Sequence, residues 1–283
     1  MPALYVKIII IILAFIILMS LAQFLTSIPP PRHYDKQTPT DYGLKYEKVS
    51  FTTSDNILLK GWLIDSKAKG TVIVGHGYPF EKGNILSLVT FLHPKYNLLL
   101  YDHRYFGESD GSYTTIGLHE AEDVKSAVKF VKAKYGQKEP IALYGFSLSA
   151  SAMLLSKEKV KAVIADSPYA NLENMVKHVY RIFGPLKYPF VLTTNILSKL
   201  FFGVSPKHIS PANAVKETAV PILLMHGNED TQIPVQNAHE IKENNPNIEL
   251  WIVPNSDHGQ AHAMHTKKYE QRVLSFLQKH MEE

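Results

Sequence analysis

The sequence predicts an α/β protein, a mostly parallel eight-stranded sheet with helices on both faces, behind a hydrophobic N-terminal helix. Three observations carry this. Short apolar runs recur from Leu44 onward, stretches with helical periodicity separate them, and polar residues follow the runs at six places.

The first element is the hydrophobic one. Residues 8–19 are unbroken apolar, and the run continues through Leu21, Ala22, Phe24 and Leu25. At 1.5 Å per residue, 8–25 makes roughly 27 Å of helix, close to the thickness of a bilayer core. Residues 1–27 are therefore expected to be retained as a single-pass membrane anchor. A cleaved signal peptide, leaving an exported protein, is the alternative, with Lys7 as its basic region and Ser20-Leu21-Ala22 as its cleavage site. Lys7 on one side and Arg32 and Lys36 on the other leave the orientation open. Ile28-Pro29-Pro30-Pro31 ends the helix, and residues 28–43 read as a stiff Pro-rich spacer.

Residues 44–283 form the expected globular domain. Residues 45–53 and Leu58–Ile64 read as antiparallel strands joined at Ser54-Asp55-Asn56. Residues 71–74, Asn97–Tyr101, 141–144, 160–165, 221–225 and Glu249–Val253 are short apolar runs of the kind found in parallel strands buried on both faces. The clearest helix spans 115–135, with Ala121, Val124, Ala127, Val128 and Val131 on one face and Gly136 at its end. From Tyr169 the alternation stops, which places an insertion at about 170–218. Within it, residues 183–203 are rich in Leu, Phe, Tyr and Ile.

Composition removes several functions. Net charge is only +4 over 283 residues, and the lysines are scattered rather than striped with aromatics, so nucleic acid is not an expected partner. The absence of cysteine excludes disulfides, thiolate metal sites and a cysteine nucleophile.

In parallel sheets ligands bind beyond the carboxyl ends of the strands. His76-Gly77-Tyr78, Asp102-His103-Arg104, Gly145-Phe146-Ser147-Leu148-Ser149, Asp166-Ser167-Pro168, His226 to Asp230, and Ser256-Asp257-His258 each follow one of the expected strands. Taken alone, Ser147 could be a helix N-cap. The Gly-Phe-Ser-Leu-Ser segment, however, resembles the nucleophile elbow of the α/β-hydrolase family, with Ser149 where a second glycine is usual. His226-Gly227 through Asp230 and on to Pro234 is similar to that family's acid loop, and Ser256-Asp257-His258-Gly259 to its histidine loop. The resemblance implies a triad: Ser147 attacks, His258 takes and returns its proton, and Asp230 orients the imidazole. Glu229 competes for the acid role, and His262 and His265 for the base. His258 and His262 are spaced as a helical metal pair could be, but no third ligand cluster accompanies them.

His76-Gly77 is similar to the family's oxyanion loop, which implies donors at the backbone N–H groups of Tyr78 and Leu148. Tyr101 to Gly111 resembles the family's Y-D-x-R-G-x-G-x-S-x-G loop, with Tyr105 in place of a glycine, and implies structural roles for Asp102 and Arg104. The resemblance covers residues 46–277, and the chain looks like the membrane-anchored branch labelled serine aminopeptidase S33-like or Bem46-like. It implies an α/β-hydrolase fold with a small helical cap, acting as a serine hydrolase on an ester, thioester or amide, and the apolar side chains of residues 183–203 point to a lipophilic small-molecule acyl substrate. Neither a cofactor nor a metal is implied. An S33-type aminopeptidase and a non-catalytic membrane-tethered binding protein are the alternatives.

Overall fold

The computed structural model describes residues 2–282. Eight strands form one sheet: β1 (Glu47–Thr52), β2 (Leu58–Ile64), β3 (Thr71–Gly75), β4 (Asn97–Tyr101), β5 (Ile141–Phe146), β6 (Ala162–Asp166), β7 (Ile222–Gly227) and β8 (Glu249–Val253). Their order is β1-β2-β4-β3-β5-β6-β7-β8. β1–β2 and β2–β4 pair antiparallel, and every other pair is parallel. The helices are α1 (Pro2–Ser27), α2 (Leu86–Val89), α3 (Glu120–Tyr135), α4 (Leu148–Ser156), α5 (Leu172–Val179), α6 (Lys187–Phe202), α7 (Pro211–Ala214), α8 (Gln236–Asn244) and α9 (Ala261–Met281). The eight-stranded, mostly parallel sheet read from the sequence is thus the one observed.

Two compact units make up the chain. One joins residues up to Pro30 with Asn171–Ser210, and the other comprises Pro31–Ala170 and Pro211–Glu283. In the second unit, successive residues of the central strands feed opposite faces of the sheet, as the strand period of two requires. Ile73, Leu99 and Leu143 pack with Val124, Val128 and Val131 of α3. Val72, Val74, Leu98 and Tyr144 pack on the other face with Val273 and Leu277 of α9. Each fully buried Val, Leu or Ile contributes about 1.5–3 kcal/mol.

The boundaries differ from expectation for local reasons. α3 begins at Glu120 rather than near 115, because the Glu120 carboxylate holds the preceding loop. It accepts from Thr114 Oγ1 at 2.6 Å, Thr115 N at 3.0 Å, Thr115 Oγ1 at 2.8 Å and Gly117 N at 2.7 Å. β5 and β7 run two residues past 144 and 225 because the ladders continue, Phe146 pairing with Asp166 and Gly227 with Val253, and each stretch holds a glycine that lets a loop or helix approach. A Cβ on Gly145 would lie 2.5 Å from Ala150 N. β6 starts at Ala162, since Val160 is held in a turn by Glu158 O at 3.1 Å.

The first unit is helical. α1 runs beside α6, with Phe15 6.4 Å from Phe190, and with Phe24 5.3 Å from Phe201 and 5.5 Å from Phe202. Tyr180, Phe190 and Val191 form its small core, with Ile16, Val176 and Phe183 packed around them. Over Leu4–Ser27, α1 has the length and apolarity to cross a membrane, with a mean hydropathy of 3.0 in an 18-residue stretch of it, a property that signal sequences share.

Candidate active site

Ser147 lies between β5 and α4, and its backbone adopts φ 53°, ψ −109°. A non-glycine residue there is strained by about 1–3 kcal/mol, so the surroundings must enforce it. Ser147 N donates to Asp166 O at 2.8 Å, and Ser151 N to Ser147 O at 3.1 Å, which pins the turn from both sides. The turn also needs room. A Cβ on Gly75 would sit 2.5 Å from Ser149 Oγ, so glycine lets β3 and α4 approach.

Ser147, Asp230 and His258 come together. His258 Nε2 is 3.0 Å from Ser147 Oγ, and His258 Nδ1 is 2.7 Å from Asp230 Oδ2. Asp230 also accepts from Ile233 N at 2.7 Å and Gln232 N at 3.0 Å. Burial alone would raise its pKa, but hydrogen bonds from His226 and His258 and the Ile233 N–H outweigh burial and hold the carboxyl well below the usual range. A carboxylate that stays ionised fixes Nδ1 as the donor and leaves Nε2 facing the serine. Phe146 lies 5.0 Å from the His258 ring and restricts its tilt.

The competing residues are placed elsewhere: Glu229 is exposed, and its backbone N–H donates to Ser256 O at 3.1 Å. Asp257 Oδ1 accepts from His258 N at 2.7 Å and Thr231 N at 2.8 Å, and so shapes the turn. His262 Nε2 pairs with Glu270 at 3.1 Å, and His265 Nε2 donates to Pro254 O at 2.8 Å. Among the described residues, no group of three or more His, Cys, Asp or Glu side chains could hold a metal ion.

The loop after β3 passes beside the serine. A Cβ on Gly77 would be 3.5 Å from Ser147 Cβ, and Tyr78 follows directly. Leu148 opens α4, so its N–H belongs to the first turn of that helix, where backbone donors have no partner within the helix. Burial first, and then the neighbouring His103, push the His76 pKa down to about 3. The ring is therefore neutral: Nδ1 donates to Gly77 O at 2.9 Å and Nε2 accepts from His103 N at 3.1 Å.

Three residues gain roles that the sequence did not disclose. Ser149 donates to His76 O and so accepts from His103 Nε2 at 2.8 Å, tying the elbow to two neighbouring loops. A glycine at this position could do neither. His226 Nε2 lies 3.3 Å from Asp230 Oδ2, behind the acid. Arg32, in the stretch read as a spacer, donates to Gly107 O at 3.3 Å, Ser109 O at 3.0 Å and Gly111 O at 3.0 Å. It also sits 5.0 Å over the Tyr105 ring, so the residue that departs from the loop pattern supplies its platform.

Asp102 and Arg104 do hold loops. Asp102 accepts from Lys82 Nζ at 2.6 Å, Lys82 N at 2.8 Å and Glu108 N at 2.9 Å. Arg104 bridges Asp123, at 2.9 Å from Nε, to Asp55, at 2.6 Å from Nη1. Its hydrogen bonds hold the Asp55 carboxyl at about 2.

Comparison with known proteins places this geometry in a family. The model of the prolyl oligopeptidase family matches residues 109–283, which include Ser147, Asp230 and His258. The chain belongs to that family. Its α/β-hydrolase fold is shared with an esterase of Pyrococcus furiosus, Pf2001, which is 32% identical with a TM-score of 0.76, covering 90% of this chain and 98% of that one. An uncharacterized Bacillus subtilis protein, YqkD, is 28% identical over 216 residues, 73% of this chain and 70% of its own length. A thiohydrolase of Arthrinium phaeospermum, apmlB, is 36% identical over 131 residues, 43% of each chain. As a member of the prolyl oligopeptidase family, the protein is a hydrolase.

Proposed function

We propose that the protein is a serine hydrolase that cleaves an ester, thioester or amide through an acyl-enzyme. The observation that carries this is the continuous pair of contacts from Ser147 Oγ through His258 to Asp230, at 3.0 and 2.7 Å, on a strained strand-to-helix turn. Ser147 Oγ attacks the acyl carbon, and its proton passes to His258 Nε2. The backbone N–H groups of Tyr78 and Leu148 receive the oxyanion. As it collapses, the bond to the alcohol, thiol or amine breaks, and the leaving group departs with the proton from His258. Water then attacks the acyl-serine ester and gives a proton to His258. The carboxylic acid leaves, and the proton returns to Ser147. Asp230 stays ionised throughout and stabilises the imidazolium.

A lipophilic acyl group is the favoured substrate, on the strength of the apolar side chains concentrated in residues 183–203. Each buried methylene is worth about 0.8 kcal/mol, nearly fourfold in affinity. The kcat/KM for simple esters should therefore rise from acetyl to octanoyl. The family match favours a second reading, a peptidase. Faster turnover of aminoacyl amides than of any ester in the series would replace the first reading with the second.

We also propose that α1 is retained as a membrane anchor. Ser20, Phe24 and Ile28 are buried at every fourth position of the N-terminal segment, with Ile16 half-buried one step earlier. Cleavage after Ala22 would remove two members of that stripe, which argues for an element kept in the folded protein.

A further inference from the structure

α6 is inside out. Its inward side carries Phe190 and Val191 and then two hydroxyl residues, Thr194 and Ser198. The side turned away from its own unit carries Tyr188, Leu192, Ile196 and Leu200 at every fourth position, with Leu192 62% and Leu200 75% exposed. A surface helix in water has the opposite arrangement, with its apolar stripe inward. Scattered exposed apolar residues are ordinary, but a continuous stripe along four turns marks a surface that something apolar covers.

The inward hydroxyls are used. Thr194 Oγ1 lies 3.2 Å from Tyr180 Oη, Ser198 Oγ donates to Val204 O at 2.7 Å, and Ser20 Oγ of α1 donates to Phe190 O at 3.5 Å. Small polar residues between helices with apolar side chains outside are how helices pack in lipid, where contact and hydrogen bonding, not exclusion of water, drive association.

Continuity with α1 names the occupant. α6 runs alongside the second half of α1, with Phe190 beside Phe15 and Phe201 beside Phe24. Whatever surrounds α1 over those turns therefore surrounds α6 too. Charge agrees with this. In the 40-residue stretch Asn171–Ser210 the only acid is Glu173, which pairs with Lys177 at 2.8 Å. Arg181, Lys187, Lys199 and Lys207 have no acidic residue of their own in this unit. Basic side chains with long apolar stems reach from a buried helix to lipid phosphates.

We propose that α6 is a second membrane element, its Tyr188–Leu192–Ile196–Leu200 stripe in contact with the acyl chains of a bilayer whose anionic headgroups meet Lys199 and Lys207, toward the Phe24 end of α1. This rests on the anchor reading of α1, so the test separates the two. The chain has no cysteine, so Leu192→Cys, Ile196→Cys and Leu200→Cys each give one attachment point for a nitroxide, with Lys216→Cys as a control in the other unit. The labelled full-length proteins are reconstituted in vesicles of phosphatidylcholine and phosphatidylglycerol, and turnover of an acetyl ester establishes that each is folded.

Retention of unlabelled protein in the vesicles after carbonate washing reports on α1. The expected result is loss of relaxation by a water-soluble nickel chelate at 192, 196 and 200, with strong relaxation by oxygen and the reverse at 216. Labels at 192, 196 and 200 as open to nickel as that at 216, in protein that survives the wash, would overturn the proposal and leave the anchor standing. Spin–spin broadening at 192, 196 and 200 would show a second copy on the stripe, and overturns it as well. Release by carbonate defeats both readings.

Discussion

Ser147 holds a backbone conformation that serine does not choose, φ 53° and ψ −109°, and the contacts on both sides keep it there. The strain has a use: it lifts the hydroxyl to His258 Nε2 at 3.0 Å while α4 turns away. Asp230 is tuned to stay charged, by two histidines and two backbone N–H groups. Asp230→Asn keeps the shape but removes the charge and presents a donor to His258 Nδ1, so the imidazole loses its imposed tautomer. Turnover should fall by about 100-fold or more, with less effect than Ser147→Ala, as measured by kcat on a short ester. Unchanged kcat in Asp230→Asn would mean that another group supplies the acid. Sequence order singled out these residues because each follows a strand. The role of Ser149 was not legible because it depends on His76 and His103, loops brought from distant parts of the chain; that of His226 is local, four positions before Asp230, but nothing in the residue order says that its ring turns toward the carboxylate.

The loop between β3 and α2 rests on charges buried beneath it. Lys82 Nζ contacts Asp102 at 2.6 Å and Glu108 at 2.8 Å, and lies 4.7 Å over the Trp62 ring. Beside it, Glu81 accepts from Gly83 N at 2.9 Å. Burial, and then the Asp102 charge, push the Glu81 carboxyl up to about 7 from an ordinary 4.5. The folded protein therefore binds a proton between those values that the unfolded chain has released, so this group makes stability fall as pH rises from about 4.5 to about 7. Glu81→Gln keeps the cap without the charge. Above pH 7 it should be more stable than the parent by roughly 2 kcal/mol, and near pH 4.5 the two should match, as read from urea unfolding midpoints. Parallel curves across that range would remove Glu81 as the cause. The same kind of buried carboxylate set the start of α3: its apolar face was legible at 3.6 periodicity, but the four hydrogen bonds that Glu120 makes to the loop before it were not. For α6, an apolar-rich stretch could be seen, whereas which side faces outward depends on α1, 170 positions away at the Ser20–Phe190 contact.

The fold was readable in sequence because parallel strands buried on both faces leave runs of Val, Ile and Leu that little else produces, and the polar residues that follow them converge only if the sheet is built in order. The second unit gathers Ser147, Asp230 and His258 on that framework, while the first joins a bilayer-length helix to the apolar-rich residues 183–203. The chain length of the best substrate depends on the serine chemistry being real. Treatment of the full-length protein with a fluorophosphonate, followed by peptide mapping, tests that chemistry most directly. Stoichiometric labelling is expected at Ser147, abolished in Ser147→Ala and in His258→Ala proteins that keep the parent's unfolding midpoint. Labelling at a different serine, or ester turnover undiminished in Ser147→Ala, would contradict that chemistry.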